Sequence, residues 1–590
     1  MNRVPWGLLP VGLPLGGLLV LAGGALIRPL PAVQRVLAGA VLTLAGTVVV
    51  VVGLGTVGRL TGVLLLAVLA WATLAVLLVA RRRAWWQLPW RSGVSVETLP
   101  VLLVGLGAVG LAVVAAYYVP VWQWDALGYH LPYVNFALQR GTFADIPADV
   151  AYLSSYPHIV EDAYIAWRAL LPDDRLVEVA HVMFGLLGVL AIAAIARQYG
   201  AHAPHAVAAG VAWLTLPAVF LQLPSNYTDV ASAALLLTAI VFVLAPAGRP
   251  QLLLAGVSIG LFLGSKPNAL VAGALLLVVV TVRTYRAGHR GALAPAWLAA
   301  LALGAPTYAI NIARHHNPVW PVRIDAGPLH VPGTQALSTL LHSGAASPHL
   351  DGPLLSRVVR SWSTIVAPLP VFDMRIGGLG LVFLAALPFA IVRALRTRSP
   401  AVWLCFAAAL ATPDPAVARY VLGFAGLVLA FAVPAAGRLG RRWRQVVFAA
   451  VTIVAAHGVW LSYPGLTGEG PPLSAYPRMT TEQRRAAVGA DGPPGDFLTV
   501  TAHLPPGAVT VFDSTMDLPY LAWPPNLSHP AMRIPDDVTP AQARDLLSDP
   551  DVAVVMVGDN SVTGRLARAD LRFRPVFGCG PAPCTVYVRD

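Results

Sequence analysis

From Trp6 to Tyr463 the chain is a succession of apolar stretches, many close to the roughly 20 residues that cross a bilayer as a helix. No other feature restricts the fold as much, because a backbone in hydrocarbon must pair its own N–H and C=O groups. Composition agrees: of 590 residues 57% are hydrophobic and 12% charged, and mean hydropathy is +0.69. Too little polar surface exists to cover a water-soluble molecule of this size. We therefore expect a polytopic α-helical membrane protein of about fourteen transmembrane helices. They fall roughly at 6–27, 36–57, 60–80, 98–119, 177–197, 203–222, 227–246, 251–265, 267–283, 293–312, 376–395, 400–412, 420–437 and 445–462. The stretch at 400–412 is too short to cross unaided. The first follows Arg3, has no small-residue cleavage site, and reads as a retained helix rather than a removed signal.

The formal net charge of +12 sits in short arginine clusters between the apolar runs, which argues against a nucleic-acid-binding face. The clusters are 28–35, 81–91, 197–205, 248–251, 283–290, 393–399 and 437–445. With the spans above, every one lies on the same side, which the positive-inside rule makes the cytoplasm. Both termini then lie outside a plasma (inner) membrane. Three long segments also face outward: 120–176, 313–375, and a tail from Ser462. Residues 1–96 read as an N-terminal addition of transmembrane helices, 97–462 as the core, and 463–590 as a small extracytoplasmic α/β domain. In that domain "GAVTVFD" (507–513) and "VAVVMVG" (552–558) are expected strands, and Thr539 is positioned to cap a helix over 539–549. A hairpin over 572–590 is pinched by Cys579 and Cys584, whose disulfide suits an oxidising compartment. Asp513, Asp517 and Asp559 read as strand-end or turn acids.

"GLFLGSKPNAL" (260–270) holds the chain's one lysine among 40 basic residues. Lys266 falls at an outer turn, with Pro267 expected in the first turn of the returning helix. Such a corner suits an anion, through free N–H groups, the helix dipole and a compact ammonium. A lysine there is equally an interfacial anchor. Other outward charges carry paired readings. Asp125 is a general base or a helix cap. Arg419 and Tyr420 bind an anion or anchor the interface. Asp229 is an intramembrane functional acid, or caps its helix with Thr228 or Asn226. Glu161 binds substrate hydroxyls, orients the loop, or is solvated. Tyr129 and His130 line a substrate site or are buried and satisfied. Arg314, His315 and His316 face an anion or water. No Cys or acid stands at ligand spacing to these histidines, and no second acid lies close in sequence to Asp125, so no metal is expected. "NYT" (226–228) and "NLS" (526–528) match the glycosylation acceptor pattern.

"WDALGYHLPYVNFALQRG" (124–141) resembles the first outer loop of polyprenyl-phosphate-sugar-dependent transferases of the glycosyltransferase C superfamily, which include protein mannosyltransferase-like and aminoarabinose transferase-like enzymes. Further landmarks match in order: "YPHIVE" (156–161), "SNYTDVAS" (225–232), "GLFLGSKPNAL", "NIARHHNPVWPVR" (311–323), "RIGGLGLVFL" (375–384) and "ARYVLGF" (418–424). The resemblance spans roughly residues 98–437. The chain departs from it at His158, where the family often has Pro, and at His316, where it usually has Gly. The resemblance implies an inverting sugar transfer on the outer face of the membrane, from a polyprenyl-phosphate-linked donor to an acceptor hydroxyl of protein, lipid or polysaccharide. Asp125 would be the general base. Lys266, Arg419, Tyr420 and Arg314 would hold the donor phosphate, and Tyr129, His130, Glu161 and Asp229 would bind substrate. No cofactor is required, since some relatives use a metal and others do not. The rival reading is a transporter or lipid flippase, which would show matching halves and a polar path through the midplane. No internal repeat is present, and the polar landmarks gather on one face. A scaffold presenting the C-terminal domain leaves the ordered motifs unexplained.

Overall fold

The computed structural model describes residues 7–27, 30–81, 94–326, 329–336, 352–364, 377–468, 470–488, 494–501, 503–505, 507–579 and 583–590. Much of the arginine cluster at 81–91, part of the one at 28–35, part of the segment 313–375, and the start of "RIGGLGLVFL" lie outside the described residues.

Each of the fourteen apolar stretches coincides with helix, but length separates them. Among the described residues nine helices are long and apolar enough to cross a membrane, or ten if a bent pair counts as one span. Four more apolar helices are shorter: Ala203–Leu214, Asp229–Leu244, Arg249–Leu263 and Pro400–Leu410. The expected span 203–222 breaks after Leu214, and the expected span 293–312 bends by 63° between Leu293–Gly304 and Pro306–His315. Pro306 explains the bend, since its ring removes an N–H from the ladder at the joint.

Burial sorts the long helices by role. Val179–Gln198 and Ala418–Ala436 each have 78% of their apolar window buried, whereas Gly62–Ala80 has 17%. The first two form the centre of the bundle; the third packs on the Leu9–Leu26 helix, burying Leu65 and Thr73, and turns most of its apolar side chains outward, as a lipid-facing helix does. Small residues set the closest approach. Gly256 and Gly260 of the Arg249–Leu263 helix face Ala296, Ala300 and Gly304 of the Leu293–Gly304 helix, and a Cβ on Gly260 would lie 2.9 Å from the Ala300 carbonyl oxygen. This small-xxx-small contact brings two backbones together where no hydrophobic drive separates protein from lipid.

Between Leu214 and Asp229 the chain makes one short turn, Pro217–Phe220, and then runs non-helical through a buried region. Side chains from elsewhere satisfy its backbone. Gln123 Nε2 donates to the Pro224 carbonyl at 3.1 Å and the Tyr164 hydroxyl to the Tyr227 carbonyl at 2.6 Å. Asn226 is buried and donates to the Val177 carbonyl, so the "NYT" triplet is no surface acceptor.

Outside the bundle, strands β1 (Val322–Ala326), β2 (Leu329–Val331) and β3 (Gln335–Ala336) form a small sheet in the order β2-β1-β3. The C-terminal region holds a five-stranded sheet of β4 (Val509–Phe512), β5 (Ala531–Arg533), β6 (Val552–Gly558), β7 (Phe573–Gly578) and β8 (Cys584–Arg589), in the order β5-β4-β6-β8-β7. β5, β4 and β6 run parallel; β8 pairs antiparallel with both β6 and β7. Both expected strands are present, and the helix Pro540–Ser548 starts at a reciprocal capping box of Thr539 with Gln542. Cys579 and Cys584 close the β7–β8 hairpin as a disulfide, with Cα atoms 5.1 Å apart. Asp513 is the strand-end acid expected: it accepts from the Thr515 hydroxyl and from the Gly558 N–H.

Candidate active site

Lys266 follows the Arg249–Leu263 helix at a tight turn, in which the Ala269 N–H reaches the Lys266 carbonyl at 3.1 Å. The returning helix starts at Ala269, so Pro267 precedes it instead of occupying its first turn; the turn absorbs the residues between. The lysine does not project alone to an interface. Its Nζ lies 2.6 Å from Asp229 Oδ1, with the Asp229 side chain 2% exposed. The Tyr308 hydroxyl fixes the same corner by donating to the carbonyls of Leu263 (2.8 Å) and Lys266 (3.0 Å).

Arg419 arrives from a 3-10 turn, Ala418–Val421, that leads into Leu422–Ala436. Its Nη1 is 3.4 Å from Asp125 Oδ2 and 3.9 Å from Asp229 Oδ2. One guanidinium thus bridges two carboxylates distant in sequence. Tyr420 stands beside both cations, with the Lys266 ammonium 5.7 Å and the Arg419 guanidinium 5.4 Å from its ring centre. Tyr227, in the broken segment, lies 5.5 Å from the same guanidinium, and its hydroxyl accepts the Asp125 N–H at 3.4 Å. Lys266, Asp229, Arg419 and Tyr420 line a small open cavity together with Asn268, Thr412 and apolar residues.

Asp125 opens a short π-turn, Ala126–His130, but its side chain makes no capping hydrogen bond; it faces Arg419 instead. Asp229 likewise does not cap its helix, and neither does Thr228. Of the paired readings for both acids, the cap is removed.

Beyond Asp125 the loop folds on aromatic rings. Tyr129 stacks on Tyr152 at 5.4 Å and meets Tyr156 edge-on at 6.3 Å. Burial, with the Asp125 charge second, drives the Tyr129 hydroxyl pKa well up, so it stays a proton donor. His130 is buried and its Nδ1 lies 2.6 Å from Glu161 Oε1. Burial alone would raise the Glu161 carboxyl, yet hydrogen bonds and charge from His130 and His158 bring it down to about 2. Its neighbour Asp162 is pushed well above the usual carboxylate range by burial and by the Glu161 charge, and accepts a hydrogen bond from Tyr133. Glu161 is therefore 3% exposed rather than solvated, and it orients His130.

Arg314 is exposed on the last turn of Pro306–His315 and is not among the residues lining the cavity. His315 stacks on Trp320 at 4.3 Å. His316 takes a left-handed conformation, φ 54°, ending its helix. That is the geometry a glycine adopts freely, which explains a Gly in the resembling motif and shows that His tolerates the position here. His158 stacks on Tyr133 at 3.9 Å. Among the described residues no group of three His, Cys, Asp or Glu side chains is placed to hold a metal ion.

Sequence reading missed Tyr227, Tyr308 and His181. Tyr227 sits two residues from Asp229 in the quoted "SNYTDVAS", and that proximity was the available signal. Nothing local marks Tyr308 or His181, whose partners are 41 to 50 residues away.

Neither a protein-family profile nor a curated protein matches the sequence. Solved structures do. ArnT from Cupriavidus metallidurans in the apo state aligns over 84% of this chain and 98% of its own, with TM-score 0.51 and 16% identity. The same protein bound to undecaprenyl phosphate aligns over 82% and 97%, with TM-score 0.51 and 15% identity. The chain thus shares the fold of ArnT, carried by a polytopic helical membrane protein.

Proposed function

We propose that the protein is a membrane glycosyltransferase that moves a sugar from a polyprenyl-phosphate donor to an acceptor hydroxyl, with inversion, on the extracytoplasmic face. The observation that carries this reading is the single arginine that holds Asp125 beside an Asp229–Lys266 pair, in a fold shared with a protein solved with undecaprenyl phosphate. No metal enters the reading. Asp125, its side chain 18% exposed, is the most accessible acid of the cluster and takes the acceptor proton. The acceptor oxygen bonds to the anomeric carbon as the bond from that carbon to the phosphate oxygen breaks, and the pair leaves on the phosphate.

Charge balance explains why the base sits against an arginine. Among the described residues Asp125 and Asp229 offset Arg419 and Lys266, so these four carry no net formal charge. As the reaction proceeds Asp125 loses its charge on protonation, while the leaving phosphate gains one. Arg419 is released from one anion as another forms beside it, so the cations stabilise the transition state without a large change in the cluster's total charge. Lys266 and Tyr420 supply a further point charge and a hydroxyl to the same oxygens. Arg314 would act only if the loop beyond it brings it to the cavity.

Sidedness rests on the arginines. Asp229 starts its helix at the site, and that helix ends at the opposite pole, where Arg283 Nη2 donates to the Ala245 carbonyl at 2.7 Å. Arg393 donates to the Tyr199 carbonyl at that same pole, at 2.6 Å. The positive-inside rule makes that pole cytoplasmic and puts the site outside. The test is transfer by the purified protein from labelled polyprenyl-phosphate sugars to membrane extract. Full-rate transfer by Asp125→Asn would reject the base; absence of transfer with every donor would favour the flippase.

A further inference from the structure

His181 lies fully buried in the central helix Val179–Gln198, outside every role assigned above. It faces the broken segment before Asp229 and contacts both of its ends. Nδ1 is 2.8 Å from the Gln222 carbonyl, where the chain leaves the Pro217–Phe220 turn. Nε2 is 3.3 Å from the Ala231 N–H, in the first turn of the helix that Asp229 opens. A carbonyl only accepts and an N–H only donates, so these partners fix one arrangement: hydrogen on Nδ1, a lone pair on Nε2. The Ser225 hydroxyl, 3.5 Å from Nδ1, also donates to the Gln222 carbonyl at 2.8 Å. The imidazole thus caps a helix whose own flanking Thr228 does not.

We propose that His181 is a positioning residue: a neutral imidazole staple across the break, which sets Asp229 where it holds Lys266 and faces Arg419. The role follows from what the break requires. Non-helical backbone inside an apolar bundle persists only where its polar groups find partners. Gln123 and Tyr164 serve the middle of the segment, and Asn226 ties it to the Val177 carbonyl; His181 alone of these joins its two ends. Asp229 is two residues from the capped N–H, so a shift of that turn moves the carboxylate directly. The chemistry also names the one fair substitute. A glutamine amide offers an N–H donor and a carbonyl acceptor on one flexible arm, whereas leucine offers neither.

The purpose given to Asp229 rests on the donor reading above; the staple itself does not, and the experiment separates them. Full-length protein in nanodiscs is compared as wild type, His181→Leu, His181→Gln and each of these with Asp229→Asn. The first readout is amide exchange in peptides covering 223–234. His181→Leu should speed exchange there and His181→Gln should restore protection; if leucine exchanges like wild type, or glutamine like leucine, the staple is wrong. The second is affinity for undecaprenyl phosphate. His181→Leu should weaken it about tenfold, within the range for residues sharing one hydrogen-bond network, and should have no further effect once Asp229 is Asn. An effect that persists undiminished in Asp229→Asn would show that His181 acts on general packing and not through Asp229. Should wild type bind no undecaprenyl phosphate, the donor reading falls, and the exchange comparison still decides the staple. If leucine prevents folding, the glutamine variant carries the test, since a purely steric role would not spare an amide.

Discussion

At the scale of single residues, the site is a set of charges that define one another's work. Replacing Asp125 by Asn removes the proposed proton acceptor and also takes away one of the two carboxylate charges that face Arg419 among the described residues. The turnover number should fall by about 10²–10⁴, the usual contribution of a positioned base. Affinity for polyprenyl phosphate should hold or rise, because the arginine is released to the ligand. Measuring both on the same preparation checks the assignment; a parallel loss of binding would contradict it. The loop behind Asp125 makes a second prediction. Burial raises the folded pKa of Asp162 well above its ordinary 3.8, so it favours the folded state only at low pH and becomes a liability as pH rises. Asp162→Asn keeps an acceptor for Tyr133 and should raise the melting temperature at pH 7, the gain vanishing below pH 4. Glu161 works oppositely. Its folded value near 2 against an ordinary 4.5 stabilises above pH 4.5 and is lost as pH falls toward 2, so Glu161→Gln should flatten the acid limb of a stability profile. Asp125, Glu161 and Arg419 were each singled out in the sequence, and Asp162 was not. Their partners were not visible: Lys266 reads as one unusual lysine among arginines, and only the fold shows that its ammonium meets Asp229.

At the scale of elements, hydropathy located helices well and misjudged their continuity. Every expected span fell on a helix because a run of apolar residues near 20 long has one outcome in lipid. The break after Leu214 escaped because "TLPAVFLQ" (215–222) remains apolar enough in a window to pass as helix, and the helix expected to reach 265 ends at Leu263. What allows the break is hydrogen bonding from Gln123, Tyr164 and His181, and no local window contains those residues. The glycines of "GLFLGSKPNAL" show how an element carries a site. Gly260 sits against the Leu293–Gly304 helix, six residues before Lys266. A valine there must push apart two helix backbones and should cost about 1–3 kcal/mol of stability, as overpacking does. It should also weaken donor binding, since the displaced helix end carries the lysine's turn. Gly288→Ala, in a loop with open space around it, provides a control for packing but meets backbone strain at φ 73°; Gly46→Ala, open and helical, is the cleaner one.

At the scale of the whole molecule, the C-terminal α/β region was legible as strands, a capped helix and a pinched hairpin, because each rests on short-range patterns. Its attachment was not. It docks on the segment 120–176 through contacts spread over hundreds of residues. Arg485 lies 2.5 Å from Asp174, Arg168 donates to the Pro525 carbonyl at 2.7 Å, and Trp523 meets Phe136 edge-on at 4.8 Å. The region therefore shares a pole with Asp125, and the arginine-rich ends occupy the other. That geometry makes a prediction about the cell. Cys405 is buried and Cys579 is bonded to Cys584, so native thiols give little background to a maleimide. Single cysteines at the exposed positions Pro413 and Asp537 mark the site pole, and Ala287 and Arg438 mark the arginine pole. A membrane-impermeant maleimide applied to intact cells should modify 413 and 537 and spare 287 and 438, which should react only after lysis. Labelling of 413 and 287 from the same side would contradict a single bundle with two poles. Labelling of 287 and not 413 would turn the protein over, placing Asp125 and its cations in the cytoplasm, on the wrong leaflet for the outer-face transfer we propose.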